Sequence, residues 1–191
     1  MVRWQPDARG RLEQAALELY AERGFDGTTV ADIADRAGLT ERTFFRYFAD
    51  KREALFGGQT AMIDLMVKAV AAAPDSVAPI EAVASALNAV AATFDGRLDD
   101  VRRRQAVIAA TPALQERESS KLALLAAALT DALRARDVAE TTARLAAETG
   151  VAVFRIAFER WVAGGDQRDL AQHIRELLDE LATMTARPAT T

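Results

Sequence analysis

The chain has 191 residues, a formal net charge of −4 and 50% apolar residues. That length suits one or two domains with a real core, and the apolar share excludes a disordered chain. It has no cysteine, which excludes disulfides, thiolate catalysis and cysteine-ligated metal and fits a reducing, cytoplasmic setting.

Strand signals are nearly absent and helical spacing recurs throughout, so the expected fold is all-α with about nine helices. Met1 to Asp7 lacks the apolar segment of a secretory signal. Arg3 and Trp4 there read as a frayed terminus or as a basic arm for a minor groove. A first helix is expected from Asp7 to Arg23, capped by Asp7 and stopped by Gly24. Its apolar face is Leu12, Ala15, Ala16, Leu17, Leu19 and Tyr20, and Phe25 plugs the core behind it. Thr28 or Thr29 caps a second helix, Val30 to Ala37. Gly38 turns the chain, and Thr40 caps a third helix, Glu41 to Tyr47.

Asp50 is expected to cap a longer fourth helix from Lys51 to Ala73. Gly57-Gly58 then falls inside it, at about 1 kcal/mol per glycine, as a flexible joint or a point of close packing. After Pro74 and Pro79 come helices from Ile80 to Phe94, Leu98 to Ala110, Ala113 to Arg136, Ala139 to Ala163 and Arg168 to Thr185. Gly164-Gly165-Asp166 forms a corner before the last, and a Pro/Ala/Thr tail follows it. The longest apolar run, Leu122 to Leu129, is far short of the roughly 20 residues of a membrane span, so no membrane role is expected.

The segment from Thr28 to Lys51 is two short helices around a glycine turn, which is the layout of a helix-turn-helix. Val30, Ile33 and Ala34 form the inner edge of the first of these helices, and Leu39 fills the corner. Phe44 with Tyr47 or Phe48 faces inward from the second. Thr40, Glu41, Arg42, Thr43 and Arg46 point outward. Arginine bridges guanine O6 and N7, threonine touches a thymine methyl, and glutamate accepts from cytosine N4. Thr28, Thr29, Tyr47 and Lys51 are candidate phosphate contacts, with helix capping or core packing as the alternative for the threonines and Tyr47. The candidate DNA-binding set, with Phe44 included, is therefore Thr28, Thr29, Thr40, Glu41, Arg42, Thr43, Phe44, Arg46, Tyr47 and Lys51. The net negative charge argues against sequence-independent nucleic-acid binding. Basic charge is instead local, with Arg42, Arg46, Lys51 and Arg52 against Asp50.

Residues 11 to 56 resemble the DNA-binding domain of the TetR family of transcriptional regulators. The matching stretches are Ala-Leu-Glu-Leu-Tyr-Ala-Glu-Arg-Gly-Phe (16–25), Thr-Thr-Val-Ala-Asp-Ile-Ala (28–34), Ala-Gly-Leu-Thr (37–40) and Phe-Phe-Arg-Tyr-Phe-Ala-Asp-Lys-Arg-Glu-Ala-Leu (44–55). The resemblance implies phosphate grips at Tyr47 and Lys51. Phe44-Phe45 departs from the usual Leu-Tyr or Ile-Tyr. It also implies a homodimer on double-stranded palindromic operator DNA, released by a small-molecule effector, and so most often a repressor. Residues 1–56 are then the DNA-binding domain and residues 57–191 the effector-binding and dimerisation domain.

In that second part the last helix carries Leu170, Ile174, Leu177, Leu178 and Leu181 as one stripe, and the helix before it is apolar on more than one side. Leu145, Ile156, Leu170, Ile174, Leu177 and Leu181 are the candidate dimer surface, with an ordinary monomer core as the alternative. Arg102-Arg103-Arg104 reads as a solvated charge run or as a guard for an anionic ligand. The helix-proline-helix around Pro112 resembles actinobacterial TetR-like regulators, some responsive to acyl-CoA-type ligands. Candidate pocket residues are Phe94, Leu98, Arg104, Ile108, Leu125, Phe154 and Phe158. His173 is the only histidine, expected at the surface or an interface, and neither metal nor cofactor is expected. No catalytic signature stands against the regulator reading in favour of an all-α enzyme. A protein-interaction module without a DNA role is disfavoured by the outward Arg42 and Arg46.

Overall fold

A computed structural model describes residues 7–164 and 168–186. Arg3, Trp4, Gly165, Asp166 and the Pro/Ala/Thr tail lie outside the described residues. Within those limits the chain is all-helical: α1 (Ala8–Arg23), α2 (Val30–Arg36), α3 (Glu41–Tyr47), α4 (Gln59–Ala72), α5 (Pro79–Ala91), α6 (Leu98–Ala109), α7 (Pro112–Arg134), α8 (Glu140–Ala163) and α9 (Leu170–Thr185). Short 3-10 turns at Glu53–Leu55 and Ala92–Phe94 complete it.

Two compact units form. The first comprises Met1–Thr60 with Asp99–Ser120, the second Ala61–Leu98 with Lys121–Thr191. Beyond the expected 1–56 segment, α6 and the start of α7 group with this first unit. The cause is hydrophobic: Val107, Ile108 and Leu114 belong to the same buried cluster as Leu12, Leu19, Phe44 and Phe56. A three-helix domain of this size buries a smaller share of its surface than a larger one does, and these residues add to its core.

In the first unit each short helix has its ends secured by side chains. Asp7 accepts from the Gly10 N–H at 2.8 Å at the start of α1, and Gly24, at φ 77°, ends it. Thr29 caps α2 through a reciprocal pair. Its hydroxyl accepts from Asp32 N at 3.1 Å, and the Asp32 carboxylate accepts from Thr29 N at 2.8 Å. Gly38 turns the chain at φ 63°, and Arg11 beneath it donates to the Ala37 carbonyl. Arg36 on α2 grips Glu22 on α1 with two bonds of 3.0 and 2.8 Å.

The fourth helix starts at Gln59 rather than Lys51. Asp50 does act as a cap, but for the turn, accepting from Arg52 N at 2.8 Å and Glu53 N at 3.2 Å. Ala54, Leu55 and Phe56 then dive into the core, which a straight helix could not allow. Gly57 lies just before α4. A Cβ there would meet Glu13 Oε1 at 2.1 Å, so a larger residue would have to displace the Arg9 and Glu13 side chains that lie over it.

In the second unit α5 packs against α8 and α9. Gly150 lets α8 approach α5, since a Cβ on it would meet Val83 Cγ1 at 2.2 Å. Arg136 reaches back to cap the C-terminus of α4, donating to the carbonyls of Val70 and Ala73 at 2.6 Å each and of Pro74 at 2.8 Å. Asp169 and Gln172 form the reciprocal cap of α9. No helix among the described residues is long and apolar enough to cross a membrane.

Candidate nucleic-acid interface

The second helix of the motif, α3, is held by its inner side chains. Phe44 is completely buried, and Phe48 lies against it with ring centroids 5.2 Å apart. Phe44 is therefore a core anchor and not a DNA contact, a correction to its place in the candidate set. A seven-residue helix has no stability of its own and needs this anchoring. Leu39 N bonds to the Ala34 carbonyl at 2.8 Å, fixing the turn between α2 and α3.

The outward face is the expected one with one addition. Glu41, Arg42 and Arg46 are exposed, Thr43 half-buried. Thr40 caps α3, accepting from Thr43 N at 3.2 Å, and its hydroxyl lies 3.0 Å from that of Thr43. Arg46 folds over Tyr47, its guanidinium 4.9 Å from the ring centroid and Nη2 donating to the phenol oxygen at 3.1 Å. This pair presents a cation and a hydroxyl together at the end of α3, as a phosphate grip requires. Phe45, absent from the sequence-derived set, is 56% exposed on the same helix. The signal was available, because Phe45 follows the inward Phe44 by one residue and must turn about 100° away.

Three expected phosphate contacts are otherwise occupied. Thr28 is fully buried and donates its hydroxyl to the carbonyls of Gly24 at 2.9 Å and Leu19 at 3.3 Å, so it cannot reach DNA. Thr29 is exposed but committed to its cap. The Lys51 ammonium turns inward to the Phe25 and Thr28 carbonyls. Close by, the Tyr20 phenol donates to the Lys51 carbonyl at 2.5 Å. Burial, and then the Asp50 carboxylate, push that phenol above the ordinary tyrosine range. On the α1–α2 seam, the hydrogen bond from Arg36 leads in holding the Glu22 carboxyl below its usual value.

The candidate pocket residues do not come together as one set. Arg104 and Ile108 belong to the first unit. Ile108 is core, while Arg104 donates to the Leu55 carbonyl at 2.8 Å, stacks 4.9 Å from the Phe56 centroid and pairs with Glu118 at 3.4 Å. Its guanidinium is spent on holding α6 to the 3-10 turn, so it does not guard a ligand. Desolvation lowers its affinity for a proton, and Glu118 opposes that. Arg117 on α7 makes a parallel tie, Nε donating to Glu53 at 2.6 Å.

In the second unit Phe94, Phe154, Phe158 and Trp161 form an aromatic cluster, with centroid separations from 5.6 to 5.9 Å. Leu125 is fully buried and Leu98 half-buried there. Of the candidate dimer residues, Leu170, Ile174 and Leu177 are buried within the chain's own core and offer nothing to a partner. They take the α9 face that packs on α5 and α8. Leu145 is 64% exposed, and Ile156 and Leu181 are half-buried. His173 is buried on that same α9 face, not at the surface.

Residues 13–56 match the family model for bacterial regulatory proteins of the tetR family, and residues 77–186 match the model for the MftR C-terminal domain. The regulator TcmR of Streptomyces glaucescens is 35% identical over 94 residues, covering 49% of this chain and 42% of TcmR. The regulator MftR of Mycobacterium tuberculosis is 31% identical over 104 residues, covering 54% of this chain and 52% of MftR. The matches thus span about half the length of these curated relatives. The Bacillus subtilis regulator FadR, solved in complex with stearoyl-CoA, shares the fold. It has a TM-score of 0.60 and 20% identity, over 93% of this chain and 99% of that one.

Proposed function

The chain belongs to the TetR family of bacterial regulatory proteins, and we propose that it is a sequence-specific DNA-binding transcriptional repressor that a small-molecule effector releases from its operator. The observation that carries this is α3, anchored inward by Phe44 and presenting Arg42, Thr43 and Arg46 outward, with the Arg46–Tyr47 pair at its end. Glu41 and Arg42 read base edges in the major groove, and Thr40 and Tyr47 fix the backbone register. The protein acts as a homodimer on a palindrome, each copy placing one α3 in successive major grooves. Leu145 and Ile156 on α8 and Leu181 on α9 form the partner surface.

The effector is an acyl-CoA-like or other apolar ligand. Support comes from the aromatic cluster of Phe94, Phe154 and Phe158 in the second unit. The stearoyl-CoA bound by FadR is of this chemical class. Release is a population shift: the effector favours an arrangement of the second unit that the DNA-bound form does not share. The route is α7, one helix from Pro112 to Arg134 that begins in the first unit and continues in the second.

The test is selection of binding sites from random duplex DNA at near-physiological salt, followed by titration of stearoyl-CoA and of free coenzyme A into the recovered complex. A palindrome, with release by stearoyl-CoA alone, is expected. Failure to enrich any duplex with folded, dimeric protein contradicts the DNA reading; enrichment without release by stearoyl-CoA contradicts the effector class.

A further inference from the structure

We infer that Phe45 is a specificity-determining residue that reads a thymine through its C5-methyl group, an inference that rests on the DNA-binding reading above. The exposed residues of α3 are Glu41, Arg42, Phe45, Arg46 and Tyr47, and of these only Phe45 has no polar atom. Its ring is 56% exposed. A phenyl ring in water gains free energy from any apolar contact that covers it, so Phe45 can contribute to binding where the polar side chains around it cannot.

The ring is also held ready. Its centroid lies 5.6 Å from that of Phe44, edge to face at 84°, and Phe44 is completely buried. A side chain fixed against a rigid neighbour loses little rotamer freedom on making a contact.

The surroundings decide what the partner is. Glu41 and Arg42 lie one turn back on α3, and Arg46 follows Phe45 directly; all three are exposed. An apolar protein surface would strip water from two guanidinium groups with nothing to pair them, which is costly. A DNA groove supplies phosphates and guanine acceptors to those cations. In the major groove the apolar feature of a base edge is the thymine methyl. Phe45 cannot donate to or accept from any base, so methyl contact is the discrimination open to it. It separates thymine from cytosine, and also from uracil, which has the same hydrogen-bonding edge without the methyl.

The test uses the duplex recovered by selection with the full-length protein. Each symmetry-related pair of thymines is replaced by deoxyuridine, and affinity is measured by fluorescence anisotropy for wild type, Phe45→Ala and Phe45→Leu. One pair of replacements is expected to weaken wild type by roughly fifteenfold, the scale of one buried methyl lost in each of the two half-sites. The same replacement leaves Phe45→Ala unchanged, and Phe45→Leu retains part of the effect. Thermal melting of the variants controls for folding. Wild type indifferent to every replacement, or Phe45→Ala as sensitive as wild type, overturns the inference. A wild type that recovers no duplex fails earlier, at the DNA reading itself.

Discussion

The ammonium of Lys51 donates to the Phe25 carbonyl at 2.8 Å and stands 4.2 Å from the centroid of the Phe25 ring. A third contact, to the Thr28 carbonyl at 2.9 Å, makes the side chain a cap for the loop between α1 and α2. Lys51→Met is therefore expected to lower stability by about 3 kcal/mol, the lower end of the scale for two hydrogen bonds from a charged donor. Urea denaturation measures this. With the charge turned inward, the salt dependence of operator affinity stays as in wild type. A slope reduced by about one unit would mean that Lys51 neutralises a phosphate after all.

Tyr20 supports the same loop from the other side through its bond to the Lys51 carbonyl. Tyr20→Phe should cost about 1 kcal/mol at neutral pH. The phenol is held above its ordinary value, by burial first and then by Asp50. A group raised on folding lends stability that is complete below its unfolded value, near pH 10 for tyrosine, and fades as pH rises further. Wild type is thus expected to lose stability above about pH 10 more steeply than Tyr20→Phe. Parallel denaturation curves at alkaline pH would contradict that assignment.

Leu114 is fully buried among residues of the first unit. Leu114→Ala should cost about 2–5 kcal/mol, as for other large core truncations. Amide exchange should quicken in α1 and α3. Faster exchange confined to residues 121–191 would show that α7 does not stabilise the DNA-binding unit.

The helix-turn-helix was legible because each of its constraints is local. Gly24 and Gly38 need positive φ, Thr29, Thr40 and Asp50 cap within three residues, and Ile33 and Phe44 repeat at helical spacing. What pairs across the chain was not legible. Nothing near Arg104 in sequence points to Leu55 or Glu118, and nothing near Arg136 points to the carbonyls that end α4. The α9 stripe is apolar at helical spacing, but periodicity does not say whether Leu170, Ile174 and Leu177 face the chain's own core or a partner. Thr28 and Thr29 are equivalent in composition. Only the fold shows that the first is buried and the second caps α2.

Arg117 and Glu53 tie α7 to the turn that follows α3. If α7 carries the effector signal, Arg117→Ala should leave ligand-free operator affinity within about threefold of wild type, as expected of a partly exposed ion pair. It should also blunt release by stearoyl-CoA. Anisotropy with and without the ligand separates the two effects. Full release in the variant would place the signal elsewhere, with α4 and the start of α6 the remaining connections to examine.

The central claim is that the outward face of α3 binds DNA. Affinity for the selected duplex, measured for wild type and for Arg42→Ala/Arg46→Ala, tests it most directly, since both side chains are exposed and their loss leaves the core intact. The expected result is a loss of at least about a hundredfold, or roughly 3 kcal/mol, with unchanged thermal melting. Equal affinity in a folded double variant would contradict the assignment of α3 as the recognition helix.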